Sequence, residues 1–152
     1  MPIIGEAATI NAPIEKIFNY VGTPSNLPEF WPSLVEVTDI KPVSEGRYEA
    51  KYVYKMAGIR FNGTGEYTEA VPNKSLVIVT KGGIKSILTW TFRSQSNRTR
   101  VSVVVDYQIP IPLLGRLANI VIESMNKHET TLILANLQAR FLFSHDLDKL
   151  KE

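Results

Sequence analysis

The residues best able to do chemistry in this chain are aromatic and imidazole side chains. His128 stands out first. Met125 lies one helical turn before it and Leu132 one turn after, so the ring falls on an apolar helix face. A neutral imidazole there can orient a carbonyl or hydroxyl, or act as a general acid or base on it. The simpler reading is a buried ring held by a tyrosine hydroxyl or a backbone group. Tyr52, Tyr54, Phe61, Tyr67, Trp90 and Tyr107 recur on the inner faces of segments with two-residue periodicity, and with Met125 and His128 they form the candidate ligand-binding set. Tyrosine and tryptophan combine a large apolar body with one polar tip, the usual lining of a small-molecule site. The same rings could instead pack solid and leave no room. Gly63 and Gly65 favour a cavity, because a missing side chain in mid-strand lets something approach the backbone, although sheet curvature explains them as well. Glu6 shares a face with Ile4 and Ala8 and could approach such a site; a strand end near solvent accounts for it more simply.

Other chemistries lack their residues. There is no cysteine, which excludes disulfides, thiolate ligands and cysteine nucleophiles. The two histidines, His128 and His145, are 17 positions apart and match no metal motif, so no metal and no cofactor are expected. No Gly-x-Ser-x-Gly elbow and no phosphate-binding glycine loop occurs; Gly63-Thr64-Gly65 lies inside a strand pattern. Three Asn-x-Ser/Thr triplets, at Asn62, Asn73 and Asn97, read as chance. The net charge of +2 is too small to imply a polyanionic partner, and Arg93, Arg98 and Arg100 flank an expected hairpin tip, so nucleic acid is not expected as a partner.

These residues need elements to position them. Alternation predicts a first strand near residues 2–10, and Asn11-Ala12-Pro13 opens a helix over about 13–21, whose Ile14, Ile17, Phe18 and Val21 share one face. Pro24, Pro28 and Pro32 leave room for a turn or two of helix around 25–30, with Trp31 at its end. Strands follow over 35–40, 48–56, 59–71, 76–80, 84–92 and 101–109, joined by short turns that imply antiparallel pairing. Pro110 and Pro112 close the last strand, and a helix of about 30 residues, roughly 45 Å long, runs from Leu113 to about Phe143. Its predicted inward stripe includes Leu114, Leu117, Val121, Met125, His128, Leu132, Ala135, Ala139 and Leu142, with Glu129 placed elsewhere. One domain over residues 1–145 and a polar tail over 146–152 are expected.

The architecture this order implies is α+β: a seven-stranded curved antiparallel sheet wrapped around a long C-terminal helix, with two short helices between strands 1 and 2. A curved sheet gripping a straight helix leaves space where the surfaces diverge. The chain resembles the START-related helix-grip (SRPBCC) superfamily of polyketide cyclase/dehydrase and lipid-transport proteins. The resemblance rests on Ile10-Asn11-Ala12-Pro13-Ile14-Glu15-Lys16-Ile17-Phe18, Asn26-Leu27-Pro28-Glu29-Phe30-Trp31-Pro32, Glu69-Ala70-Val71-Pro72, the Gly82-Gly83 turn and Leu134-Ala135-Asn136-Leu137. These are signatures of the fold, and what the resemblance implies about function is an analogy at that level.

Three functions fit. The first is binding of a small hydrophobic ligand, lipid-like or polycyclic, between sheet and helix, as a carrier or sequestering protein. The second is a cyclase or dehydratase enzyme using His128 and pocket tyrosines. The third is an accessory protein that touches a membrane or partner through apolar residues near Leu27, Phe30 and Trp31, or from Pro110 to Leu114. No secretory leader and no stretch of roughly 18 apolar residues is present, which makes the cytoplasm the expected location. The oligomeric state is not legible.

Overall fold

The computed structural model describes residues 3–56, 58–108 and 127–142. Seven strands follow the predicted order: β1 (Ile3–Ile10), β2 (Leu34–Ser44), β3 (Arg47–Met56), β4 (Ile59–Val71), β5 (Ser75–Gly82), β6 (Lys85–Gln95) and β7 (Arg98–Gln108). They form one curved sheet in the order β1-β7-β6-β5-β4-β3-β2, with every neighbouring pair antiparallel. The first and second strands are therefore opposite edges. The chain crosses between them through α1 (Ile14–Val21), a 3-10 turn (Pro24–Asn26) and α2 (Leu27–Phe30).

The period-2 pattern sets the faces. In β6, Leu88, Trp90 and Phe92 are buried while Lys85 and Ile87 are exposed; in β3, Tyr52 and Tyr54 are buried and Lys51 and Lys55 exposed. Turns form where positive φ is tolerated or forced: Gly46 at 72°, Gly58 at 77°, Asn73 at 62° and Gly82 at 85°. The edge strand β2 carries Pro42 and three register shifts against β3, features that blunt an otherwise open edge.

A helix over residues 127–142, α3, packs on the inner face. Here the sequence reading needs correction. The buried stripe is Glu129, Thr130, Ile133, Leu134, Leu137 and Phe141, one position round from the predicted one. His128, Ala135 and Ala139 are exposed, as are Leu132 and Leu142. The side-chain volumes explain the rotation. The true stripe buries two leucines, an isoleucine and a phenylalanine, whereas the predicted stripe offered two alanines among its leucines. The predicted helical stretch before residue 127 lies outside the described residues.

Candidate functional site

The polar ends of three buried tyrosines are fixed by different elements. On β3, Tyr52 sits opposite Gly63 of β4, and a Cβ at Gly63 would fall 2.7 Å from the Tyr52 hydroxyl and closer still to the Lys81 carbonyl. The glycine is there because a tyrosine ring and a neighbouring strand occupy its side-chain space. The Tyr52 hydroxyl donates to the Ile84 carbonyl at 3.0 Å and accepts from the Ile84 N–H at 3.3 Å. Beside it, Thr80 Oγ1 donates to the same carbonyl at 2.9 Å and meets Ser86 Oγ at 2.5 Å. On β4, the Tyr67 hydroxyl donates to the Val21 carbonyl at 3.1 Å, satisfying an orphan group at the end of α1. Burial, and secondarily Tyr48, push the Tyr67 hydroxyl well above the usual tyrosine range.

Tyr54 has the most unusual partner. Its hydroxyl donates to Glu129 Oε2, while the Ser33 N–H donates to Glu129 Oε1 at 3.1 Å. Both carboxyl oxygens thus accept, and Glu129 is only 7% exposed. Burial first, then the adjacent Glu129, push the Tyr54 hydroxyl far up; Ser33 and Trp31 nearby oppose this weakly. Trp31 stands edge-on to Tyr54, with ring centroids 6.3 Å apart and planes at 87°. Its indole nitrogen is buried, on the side of the Tyr54 hydroxyl whose upward shift it opposes.

These groups border a cavity of about 90 Å³. Among the described residues it is lined by the inner faces of β2 to β7 and by Pro24, Leu27 and Trp31. Tyr48, Tyr52, Tyr54 and Tyr67 surround it, Gly65 and Ala50 leave it room, and Thr80 and Ser86 form a polar wall closed on itself. No lysine, arginine or histidine is among these lining residues.

Of the predicted site residues, Tyr52, Tyr54 and Tyr67 face this cavity. Phe61 and Trp90 are buried beside it and do not line it; Trp90 is fully enclosed and packs edge-to-face on Phe30 at 6.2 Å. Tyr107 pairs in register with Ser86, and its side chain lies outside the described residues, as does Met125. His128 is exposed and is not brought to the tyrosines, because its neighbour Glu129 takes the inward position. Leu27 and Phe30, expected as an exposed docking surface, are buried at 6% and 1%. Glu6 is half-buried in β1, opposite Val103.

A family model described as polyketide cyclase/dehydrase and lipid transport matches residues 1–142. The chain belongs to that family. The polyketide cyclase/dehydrase and lipid transport family has the helix-grip fold and includes ligand-binding and cyclase members. Solved structures agree on the fold. The Zhui aromatase/cyclase from a Streptomyces species superposes with a TM-score of 0.79 at 12% identity, covering 91% of this chain and 92% of that one. A Thermus thermophilus protein, TTHA0849, gives 0.76 at 22% identity, covering 94% and 99%. A START superfamily protein from Mycobacterium smegmatis gives 0.76 at 12% identity, covering 91% and 96%. No curated protein matches the sequence. No helix among the described residues is long and apolar enough to cross a membrane.

Proposed function

We propose that the chain is one ligand-binding domain over residues 1–145 that takes up a small hydrophobic molecule, lipid-like or polycyclic, in this cavity, as a carrier or sequestering protein. The observation that supports it is an interior space walled by aromatic and aliphatic side chains, left open by Gly65 and Ala50, whose polar wall is already hydrogen-bonded to itself. Such a wall favours a greasy guest, because burial of apolar surface supplies the binding energy without elaborate recognition.

Titration with an apolar dye whose fluorescence rises on leaving water tests the proposal. Saturable binding of one dye per chain with a Kd in about the micromolar range is expected. Gly65→Leu should abolish it. A Cβ at Gly65 meets only Thr80 and Tyr52 at ordinary contact distances, so the leucine can enter the cavity without displacing backbone. Undiminished dye binding by that variant would place the dye elsewhere and reject the proposal.

One observation favours a second reading, an enzyme of the cyclase or dehydratase type. Tyr54 lines the cavity and its hydroxyl is paired with the buried Glu129 carboxyl group behind it, an acid–base pair in the role the sequence had offered to His128. Under that reading Glu129→Gln loses turnover and keeps dye binding; His128→Ala keeps both.

A further inference from the structure

Among the described residues that line the cavity, six carry hydroxyls, and five of these have their protons committed. Tyr52 donates to the Ile84 carbonyl, Tyr54 to Glu129 and Tyr67 to the Val21 carbonyl. Thr80 also donates to the Ile84 carbonyl, so the proton shared between Thr80 and Ser86 comes from Ser86. The sixth is Tyr48, whose hydroxyl makes no hydrogen bond within the chain. The residue is half-buried, and its oxygen is not sealed in the way the Trp31 and Trp90 indole nitrogens are. Of the six, Tyr48 alone keeps a proton to give.

The strand places that hydroxyl toward a guest. Tyr48 alternates with Ala50, Tyr52 and Tyr54 on the inner face of β3, and all four line the cavity. Its ring meets that of Tyr67 edge-on, with centroids 6.0 Å apart and planes at 89°. Tyr48 also helps to raise the Tyr67 hydroxyl, so the two oxygens lie within electrostatic reach and the Tyr48 oxygen is turned to the inner side. A ligand oxygen lying against any of the other five hydroxyls would lose its hydrogen bonds to water and find no proton in return, which disfavours its burial. Beside Tyr48 it finds a donor. Resting on the reading of the cavity as a ligand site, we propose that Tyr48 is its specificity-determining donor, pairing with the acceptor oxygen, ketone or phenol, of an otherwise apolar guest.

Two probes of one shape test this: acetophenone and α-methylstyrene, which differ only in carrying C=O or C=CH2, measured by displacement of the dye. Tyr48→Phe removes the hydroxyl and keeps the ring. Because that hydroxyl holds no partner in the chain, the variant should melt within about 2 °C of wild type. The ratio of the two affinities should move about three- to tenfold toward the hydrocarbon in the variant, the worth of one net hydrogen bond. The different hydration of the probes cancels in that comparison, and α-methylstyrene itself should bind both proteins within about twofold. The infrared carbonyl stretch of acetophenone bound to wild type gives a second reading that needs no variant: it should lie below its position in hexane. An unchanged ratio, equal weakening of both probes, dye that neither probe displaces, or a carbonyl stretch at the hexane frequency overturns the role of Tyr48 and leaves the cavity reading intact. Failure of both probes and of the dye to bind overturns both.

Discussion

Tyr54 and Tyr67 are 7% and 3% exposed, and burial is the leading reason that both hold their protons far into the alkaline range. The consequence for stability has a definite sign. In the unfolded chain a tyrosine begins to ionise near pH 10, whereas in the native state these two stay protonated. Above that pH the native state binds more protons than the unfolded state, so stability falls as pH rises; below pH 10 the contribution is fully present. Each tyrosine should add about 1.4 kcal/mol of loss per pH unit above pH 10. Urea unfolding at pH 9, 10 and 11 measures it, and Tyr54→Phe and Tyr67→Phe should each flatten the slope by that amount. Slopes identical to wild type in both variants would mean that the hydroxyls ionise freely in the folded protein. At this scale the sequence was informative for the tyrosines and misleading for the helix. Alternation in β3 and β4 placed Tyr52, Tyr54 and Tyr67 inward, because a strand's period of two admits only two choices. A helix admits many stripes, and His128 and Glu129 sit on neighbouring ones. Weighing side-chain volume along 133, 134, 137 and 141 would have turned the helix the right way and exposed the buried glutamate. Nothing in the sequence signals that a tyrosine 75 positions away waits for it.

At the scale of elements, the helix is tied to the fold by polar side chains as well as by its apolar stripe. Asn136 Nδ2 donates to the Phe30 carbonyl at 3.0 Å, Gln138 Nε2 to the Thr9 carbonyl at 3.1 Å, and Glu129 holds Ser33 and Tyr54. Near its end, Arg140 pairs with Glu29 at 2.9 Å and lies 4.7 Å over the Tyr20 ring, which also donates to Glu29 at 2.6 Å. These ties run to β1, to the helical segment after it and, through Tyr54, to β3, so α3 fixes the edge-to-edge crossing that closes one end of the sheet. Strand order and turn positions were legible because Gly, Pro and Asn mark each reversal; the bulges of β2 were not, since nothing in Thr38-Asp39-Ile40 announces the positive φ of 51° at Asp39. The β3–β4 pair supplies a sharp contrast. Gly63 and Gly65 look alike in sequence, yet a methyl at Gly63 collides with backbone and with Tyr52, while one at Gly65 meets nothing closer than 3.9 Å. Gly63→Ala should therefore destabilise by about 1–3 kcal/mol, as overpacking of a core does. Gly65→Ala should be neutral or slightly stabilising, because it lowers unfolded-chain entropy at a position of ordinary φ. Chemical denaturation of the two single variants side by side decides it. Equal losses would show that both glycines serve only sheet curvature.

For the molecule as a whole, the cavity is a structural deficit set against a function. At about 24 cal/mol per Å³, an interior void of about 90 Å³ corresponds to lost packing on the order of 2 kcal/mol. A protein selected only for stability would fill it, and Gly65 with Ala50 opposite in register offers the simplest place to do so. Gly65→Leu should recover part of the deficit, about 1 kcal/mol, which for a chain of this size raises the melting temperature by about 2–4 °C. The ligand acts in the opposite direction. A molecule that binds only the native state adds RT ln(1 + [L]/Kd), about 2.7 kcal/mol at a hundredfold excess over Kd, and it can do so only for the chain whose cavity is open. The two effects predict a reversal of order: without ligand the variant melts above wild type, and with saturating dye wild type melts above the variant. Differential scanning calorimetry with and without dye reads both melting temperatures. A variant that melts below wild type and still shifts fully with dye would mean that the space at Gly65 is neither a packing deficit nor the place where the guest sits.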